Sequence, residues 1–181
     1  MSERSLDLVL FGATGFTGQL VAEHLYAREG AGSNLAWALA GRSEDKLAAV
    51  RRPLQGQAPQ QPLELVVADS AAAASLDALA RRSRAICSTV GPSARYGSEL
   101  VAACARHGTH YCDLTGEVPW IARMIAEHDE TARASGARIV HCCGFDSIPS
   151  DLGTWFAQEQ LQAPHGVYAR RVRGRVGRTR G

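Results

Sequence analysis

The chain has 181 residues, with 20 basic and 18 acidic side chains and a formal net charge of +2. That length can bury a substantial core without disulfides or metal ions, and a hydrophobic content of 45% excludes a disordered chain. Six arginines in residues 170–181 account for the net positive charge, because the other residues carry more acidic than basic groups. The overall charge therefore does not indicate a nucleic-acid partner.

Targeting and cysteine content predict a cytoplasmic protein. No run of 18 apolar residues is present, so no membrane span is expected, and the N-terminus lacks an apolar signal core. An odd number of cysteines without a signal peptide indicates reduced thiols, namely Cys87, Cys104, Cys112, Cys142 and Cys143. There is no C-x-x-C motif and the histidines show no ligand spacing, so no metal site is predicted.

Short apolar runs alternate with helix-like segments along the whole chain. The predicted strands cover residues 6–11, 35–40, 63–68, 85–90, 110–114 and 138–142. The predicted helices cover residues 16–28, 44–51, 71–82, 96–107, 119–135 and 151–160, with Ser43 and Asp151 as caps of the second and last. A polar loop is predicted at 55–62, and a further strand at 167–172. This alternation predicts an α/β fold with a doubly wound parallel sheet of the Rossmann type, in the strand order 3-2-1-4-5-6.

The most informative motif is a glycine-rich turn between the first strand and the first helix. It consists of Gly12, Ala13, Thr14, Gly15, Phe16, Thr17 and Gly18. We expect Gly12 to permit a tight turn, Gly15 to let the backbone approach a pyrophosphate, and Gly18 to allow close packing of the helix. The spacing is G-x-x-G-x-x-G, and a turn without any ligand is the alternative. A P-loop is excluded because no G-K-[ST] follows the glycines.

The end of the second strand predicts which dinucleotide binds. NAD sites place an acidic residue here, whereas this chain has Gly41 and then Arg42 and Ser43. The Arg42 guanidinium, the Ser43 hydroxyl and Lys46 one helical turn later can together hold a 2′-phosphate. The sequence therefore favours NADP(H) over NAD(H). The alternative is that Arg42 and Lys46 form only the solvated start of a helix.

Two further strand ends contribute to the predicted cofactor site. Asp69 follows the third strand, where its carboxylate can accept from the adenine amino group, cap the next helix, or do both. The fourth strand ends in residues that we expect to border the ribose and nicotinamide, namely Thr89, Val90, Gly91 and Pro92. Tyr96 begins the next predicted helix, where it faces the site or simply packs.

The later turns supply candidate acids but no assigned catalytic residue. Glu117 and Asp146 follow the fifth and sixth strands, and the alternative for both is ordinary turn chemistry. None of the four tyrosines has a lysine four residues further on, so the proton-transfer pair of short-chain dehydrogenases is absent.

Five sequence blocks occur in an order that resembles one known family. They are Gly-Ala-Thr-Gly-Phe-Thr-Gly at 12–18, Ala-Gly-Arg-Ser at 40–43, Ser-Thr-Val-Gly-Pro at 88–92, Asp-Leu-Thr-Gly-Glu at 113–117 and Cys-Gly-Phe-Asp-Ser-Ile-Pro-Ser-Asp at 143–151. Together they resemble the saccharopine dehydrogenase-like oxidoreductases, including the bacterial trans-acting enoyl reductases. The resemblance implies an N-terminal Rossmann domain with NAD(P)-dependent reductase activity, and Arg42 favours NADPH as its cofactor. Such an enzyme transfers hydride to an activated C=C or C=N bond of a small-molecule substrate.

The resemblance also implies a particular domain organisation. Family members carry a second, α+β domain, so we expect a Rossmann domain at 1–160 and the start of a truncated second domain at 161–181. A homodimer is expected for the full-length protein. This chain alone is expected to bind the cofactor without necessarily catalysing a reaction. The alternative function is a non-enzymatic NADP-binding redox sensor or regulatory module.

Overall fold

Strands and helices alternate regularly in the computed structural model, which describes residues 4–30, 35–55 and 62–177. The described strands are β1 (Leu6–Phe11), β2 (Trp37–Gly41), β3 (Glu64–Val67), β4 (Ser83–Ser88), β5 (His110–Asp113) and β6 (Ile139–Val140). The described helices are α1 (Phe16–Glu29), α2 (Glu44–Gln55), α3 (Ala73–Arg82), α4 (Ser93–Tyr96), α5 (Ser98–His107), α6 (Val118–Ser135) and α7 (Ile148–His165). The predicted polar loop at 55–62 lies almost entirely outside the described residues.

All six described strands form one parallel sheet in the order β3-β2-β1-β4-β5-β6, as the sequence predicts. β1 lies at the centre, where Leu10 is opposite Leu39 of β2 on one side and Cys87 of β4 on the other. After β3 the chain crosses back to β4, so the strand order reverses between β1 and β4. In open α/β sheets this switch point leaves a crevice at the carboxyl ends of the strands, where ligands bind.

The core is divided into two layers by the sheet, because successive side chains of a strand point to opposite faces. Val9 and Phe11 belong to the layer that α3, α5 and α6 cover, together with Ile86. Leu10 and Leu39 belong to the layer that α1 and α2 cover. Burial on both faces explains why β1 and β2 read as continuous apolar runs rather than as alternating patterns.

Three predicted elements differ from the structure. Residues 167–172 form no strand, and Val167 and Val172 are exposed there without a neighbouring strand to complete a ladder. Asp151 does not cap the last helix, since α7 begins at Ile148 and Asp151 lies in its first turn. The helix predicted at 96–107 begins only at Ser98, as α5, whereas Tyr96 is the last residue of a separate short helix, α4.

α7 differs from the other long helices because it has no buried residue. Its apolar side chains remain largely exposed, with Trp155 at 63% and Leu152 at 53%. The expected domain boundary after residue 160 falls inside this continuous helix. Within the described ranges, neither α7 nor any other helix is both long and apolar enough to cross a bilayer.

Gly18 provides a test of how closely α1 approaches the β1–α1 turn. A methyl group at Gly18 would overlap the Gly12 carbonyl oxygen and lie 2.8 Å from Ala13 Cα. Helix propensity alone favours alanine by about 1 kcal/mol. We nevertheless expect Gly18→Ala to lower the free energy of unfolding by about 2 kcal/mol, because backbone atoms must move to accept the methyl. Urea denaturation measures the change.

Gly153→Ala in α7 is the matched control, since a methyl group there meets no atom within 4 Å. This variant should not lose stability. A Gly18→Ala protein as stable as the wild type would contradict the close approach of α1.

Candidate functional site

A cleft of about 240 Å³ lies at the carboxyl ends of β1, β2 and β4. It brings together four segments that are distant in sequence. The residues that line it are Phe11, Gly12, Thr14, Gly15, Gly41, Arg42, Ser70, Thr89, Val90, Gly91 and Tyr96. Eight of these are residues that the sequence assigns to the cofactor site, whereas Phe11, Ser70 and Tyr96 are additional.

The β1–α1 turn is shaped by Gly12, whose φ of +89° is a left-handed conformation that L side chains rarely adopt. A Cβ here would also lie 2.8 Å from Val90 Cγ2 and 2.9 Å from Thr89 Oγ1. The turn is joined to β2 because the amides of Gly12 and Ala13 both donate to the Ala40 carbonyl, at 2.9 and 3.2 Å. Gly12 therefore permits both the turn and the close approach of β4.

The N-terminus of α1 has no side-chain cap. Gly15 is the N-cap residue, and its own amide donates to the Gly12 carbonyl at 3.0 Å rather than into the cleft. The first amides of an α-helix have no intrahelical partner, which here applies to Phe16, Thr17 and Gly18. Their partial positive charge makes this helix end suitable for an anion. The free donors at this helix end are thus the amides after Gly15, because the Gly15 amide is already bonded to the Gly12 carbonyl.

The positive side chains after β2 occupy two different places. The exposed Arg42 lines the main cleft. Lys46 lines a neighbouring cavity of about 450 Å³ between α1 and α2, and Thr14 borders both cavities. Ser43 Oγ accepts from the Lys46 amide at 3.4 Å, which confirms Ser43 as the cap of α2. A hydroxyl that accepts in this way still has its proton available for a phosphate oxygen.

Asp69 forms a turn after β3 instead of capping α3. Its Oδ1 accepts from the Ala71 amide at 2.9 Å, while the N-cap of α3 is Ala72. The cap alternative for Asp69 is therefore wrong, because the helix begins too late for its side chain to serve that purpose. The adjacent Ser70 is the residue of this turn that lines the cleft.

The opposite wall of the cleft begins where β4 ends. The Thr89 amide donates to the Phe11 carbonyl at 2.9 Å, and Thr89 Oγ1 lies 3.1 Å from the Gly12 carbonyl oxygen, to which it donates. Val90 and Gly91 continue this wall, and the peptide bond between Gly91 and Pro92 is cis. The Thr89 side chain therefore fastens β4 to the glycine turn.

Glu117, which follows β5, also holds the segment after β4. Its carboxylate accepts from the Ser93 amide at 2.6 Å and from the Ala94 amide at 3.1 Å, at the start of α4. Glu117 is therefore engaged as a capping group and does not stand free as an acid. Asp146, the other candidate acid, is exposed in the turn before α7.

A buried acid–histidine pair lies at the ends of β5 and β6. Asp113 Oδ2 and His141 Nδ1 are 2.6 Å apart, with 3% and 7% of the two side chains exposed. Asp113 Oδ1 accepts from the amides of Thr115 and Cys142, both at 3.1 Å. Burial raises the pKa of the Asp113 carboxyl, but His141 and the two amides outweigh this and hold the pKa below its usual value.

The Asp113–His141 pair is a feature that sequence reasoning missed. Asp113 lies inside the 113–117 block, and His141 falls in the predicted sixth strand. The predicted strand order already places these two strands side by side, so the proximity could have been found from the sheet. The pair holds Cys142 in a left-handed conformation with φ of +62°, which is costly for a residue with a Cβ.

Comparison with known proteins agrees with this geometry. Residues 8–140 match the family model described as the saccharopine dehydrogenase NADP binding domain. This range includes the glycine turn, Arg42 and both walls of the cleft, and it covers well over half of the chain. The chain belongs to the saccharopine dehydrogenase NADP-binding domain family.

Relatives of this family member include mycobacterial proteins named trans-acting enoyl reductase. The protein from Mycobacterium leprae (strain TN) is 50% identical over 153 residues, which are 84% of this chain and 35% of the relative. The protein from Mycobacterium tuberculosis (strain ATCC 25618 / H37Rv) is 48% identical over 154 residues, which are 85% and 36% of the two chains. The chain therefore spans about a third of the length of these curated relatives.

Solved structures support the family's fold at low sequence identity. Apo saccharopine dehydrogenase (L-Glu forming) from Saccharomyces cerevisiae has a TM-score of 0.66 and 16% identity, and the match covers 89% of this chain and 32% of the dehydrogenase chain. The triphenylmethane reductase of Citrobacter sp., complexed with NADP(H), has a TM-score of 0.56 and 18% identity, and the match covers 87% of this chain and 54% of the reductase chain. Both matches cover most of this chain.

The negative charge of Asp113 should make a pH-dependent contribution to the free energy of unfolding. Asp113→Asn keeps an oxygen for the two amides but removes the negative charge beside His141. We expect a loss of about 2 kcal/mol in the free energy of unfolding at neutral pH. Because the folded-state pKa is lowered, this stabilisation is present above the unfolded-state pKa and disappears as the pH falls through the folded value. Urea denaturation at neutral pH and at about pH 3 measures the difference.

Asp129→Asn on the surface of α6 is the control, since Asp129 pairs with Arg133 in solvent. It should change stability little at either pH. An equal loss for Asp113→Asn at both pH values would show that its charge is not the stabilising feature.

Proposed function

We propose that the cleft binds NADPH and that the domain serves a reductase that transfers hydride to an activated C=C or C=N bond of a small molecule. The observation that carries this proposal is that the open N-terminus of α1 and the Arg42 side chain border the same cleft. A 2′-phosphorylated dinucleotide carries two separate anionic groups. The cleft offers one positive feature for each of them.

The pyrophosphate suits the β1–α1 turn. Gly12 and Gly15 line the cleft without side chains, so a ligand can approach the backbone there. The amides of Phe16, Thr17 and Gly18 supply hydrogen-bond donors. No capping side chain occupies these donors, because the N-cap residue is Gly15. This combination of small residues and unpaired amides is the usual basis of pyrophosphate binding in Rossmann-type folds.

The 2′-phosphate suits the β2–α2 turn. A carboxylate at the Arg42 position would accept from a ribose hydroxyl and repel a phosphate, whereas a guanidinium attracts the phosphate and can bind two of its oxygens. The Ser43 hydroxyl lies directly beside it at the start of α2. These two side chains support a preference for NADPH over NADH, and Lys46 adds positive charge one turn further along.

The names of the relatives support a reductase. Two of them are named trans-acting enoyl reductase, and structural neighbours include a saccharopine dehydrogenase and a triphenylmethane reductase complexed with NADP(H). The nicotinamide supplies the hydride when bound. The Thr89–Gly91 wall and Tyr96 then orient that end of the cofactor and exclude water from one side.

An NADP-binding sensor is the second candidate function. It is favoured because Asp113 and Glu117 are not free to act as acids. The Asp113 carboxylate contacts His141, and the Glu117 carboxylate accepts from two backbone amides. Oxidation of NADPH by the full-length protein in the presence of enoyl or imine compounds would eliminate the sensor.

Arg42→Ala tests the cofactor assignment directly. We expect the dissociation constant for NADPH to rise about thirtyfold, because a charge-assisted contact to the 2′-phosphate is lost. The dissociation constant for NADH should change little, since NADH has no such phosphate. Fluorescence titration of both cofactors against this chain measures the selectivity.

Arg133→Ala is the control, because Arg133 lies on the outer surface of α6 and pairs with Asp129. It should leave the affinities for both cofactors unchanged. An Arg42→Ala variant that loses NADH and NADPH by the same factor would refute the phosphate role of Arg42.

A further inference from the structure

The two walls of the cleft are built by different means. The first wall consists of the β1–α1 and β2–α2 turns, including Gly12, Gly15 and Arg42. The second wall consists of Thr89, Val90, Gly91 and Tyr96, and we call it the β4 wall. Backbone hydrogen bonds between neighbouring strands and turns fix the first wall. The β4 wall continues beyond the end of β4, and the Thr89 amide, which donates to the Phe11 carbonyl, makes its last backbone bond to β1 among the described residues.

Two tethers hold the β4 wall, one at each end. Thr89 attaches the beginning of the wall to the Phe11 and Gly12 carbonyls. Glu117 attaches the other end through the amides of Ser93 and Ala94, at 2.6 and 3.1 Å. Ser93 is buried, and Tyr96 lies within the same short helix. The position of the Tyr96 side chain in the cleft thus depends on where Glu117 holds the start of α4.

Glu117 is itself held in place by the turn after β5. Its amide donates to Thr115 Oγ1 at 3.2 Å, and the Thr115 amide donates to the buried Asp113 carboxylate at 3.1 Å. Glu117 is also the N-cap residue of α6, which anchors its backbone. A carboxylate fixed in this way makes stronger hydrogen bonds to amides than a neutral group would. The tether therefore transmits the position of β5 to the β4 wall.

We propose that Glu117 is a positioning residue that sets the nicotinamide half of the cleft through the Ser93 and Ala94 amides. This inference rests on the proposed binding of NADPH. Glu117 does not line the cleft, so it acts through α4 and the β4 wall. The adenosine half, formed by the glycine turn and Arg42, is independent of Glu117. Loss of the carboxylate should therefore weaken only the part of the ligand that reaches the β4 wall.

Two ligands separate the halves of the cleft. NADPH occupies both, whereas 2′-phospho-ADP-ribose keeps the phosphates but lacks the nicotinamide. For Glu117→Gln we expect the dissociation constant of NADPH to rise about tenfold, while that of 2′-phospho-ADP-ribose stays unchanged. Glu117→Ala should show a larger difference between the two ligands, because it removes both hydrogen-bond acceptors. Calorimetric titrations on the 181-residue chain measure all four values.

Glu130→Gln is the matched control, since Glu130 is an exposed glutamate on the same helix, α6. It should bind both ligands as the wild type does. Thermal unfolding of each variant shows whether the protein is folded under the conditions of the titration. If Glu117→Ala is unfolded, Glu117→Gln alone decides the matter.

The outcomes distinguish this inference from the proposed function. A selective loss of NADPH affinity in the Glu117 variants supports the positioning role. Equal losses for the two ligands, or no loss for either, would overturn it while leaving the cofactor assignment intact. A wild-type chain that binds neither ligand would overturn the proposed NADPH site, and the inference would fall with it.

Discussion

The carbonyl oxygen of Gly12 is the point where three parts of the fold meet. It accepts hydrogen bonds from the Gly15 amide and from the Thr89 hydroxyl, and α1 passes it so closely that Gly18 has no room for a side chain. These contacts require that residues 12 and 18 lack a Cβ. The turn, the first helix and the end of β4 can then approach one another at the switch point of the sheet.

This arrangement leaves the cleft with unequal support. The side formed by the glycine turn is defined by backbone at the centre of the sheet, where β1 is paired with strands on both sides. The other side depends on side chains from β5 and the turn after it, above all Asp113 and Glu117. The division follows from how a parallel sheet ends, since strand pairing stops where the loops begin.

Local sequence patterns were sufficient to predict the sheet and the glycine turn. Strand order followed from the alternation of apolar runs and helices, and the roles of Gly12 and Gly18 followed from their places at a strand end and in the first helical turn. Ser43 was also predictable as a cap, because its hydroxyl contacts an amide only three residues away. Each of these features depends on neighbours along the chain.

Contacts between distant segments were not predictable in the same way. Glu117 reaches Ser93 across 24 residues, and Asp113 reaches His141 across 28. Glu117 looked like a candidate acid or a turn residue until its partners were known, and Asp113 was not singled out although the strand order places β5 beside β6. The prediction of a strand at 167–172 was wrong for the converse reason. These residues have suitable strand propensity, but a strand also needs a neighbouring strand to pair with. The prediction of Asp151 as a helix cap was wrong because Ser and Asp occur repeatedly near the start of α7, which begins three residues before Asp151.

The central position of β1 has a consequence for how the molecule opens. Its amides and carbonyls are bonded to β2 and β4 on both edges, and most of its side chains are fully buried. Such amides exchange with solvent only when the whole domain unfolds, whereas those of α7, which buries no residue, exchange through local opening. The strand that leads into the glycine turn is thus among the last parts of the chain to lose its structure. Partial unfolding that releases α7 would leave this part of the cleft intact.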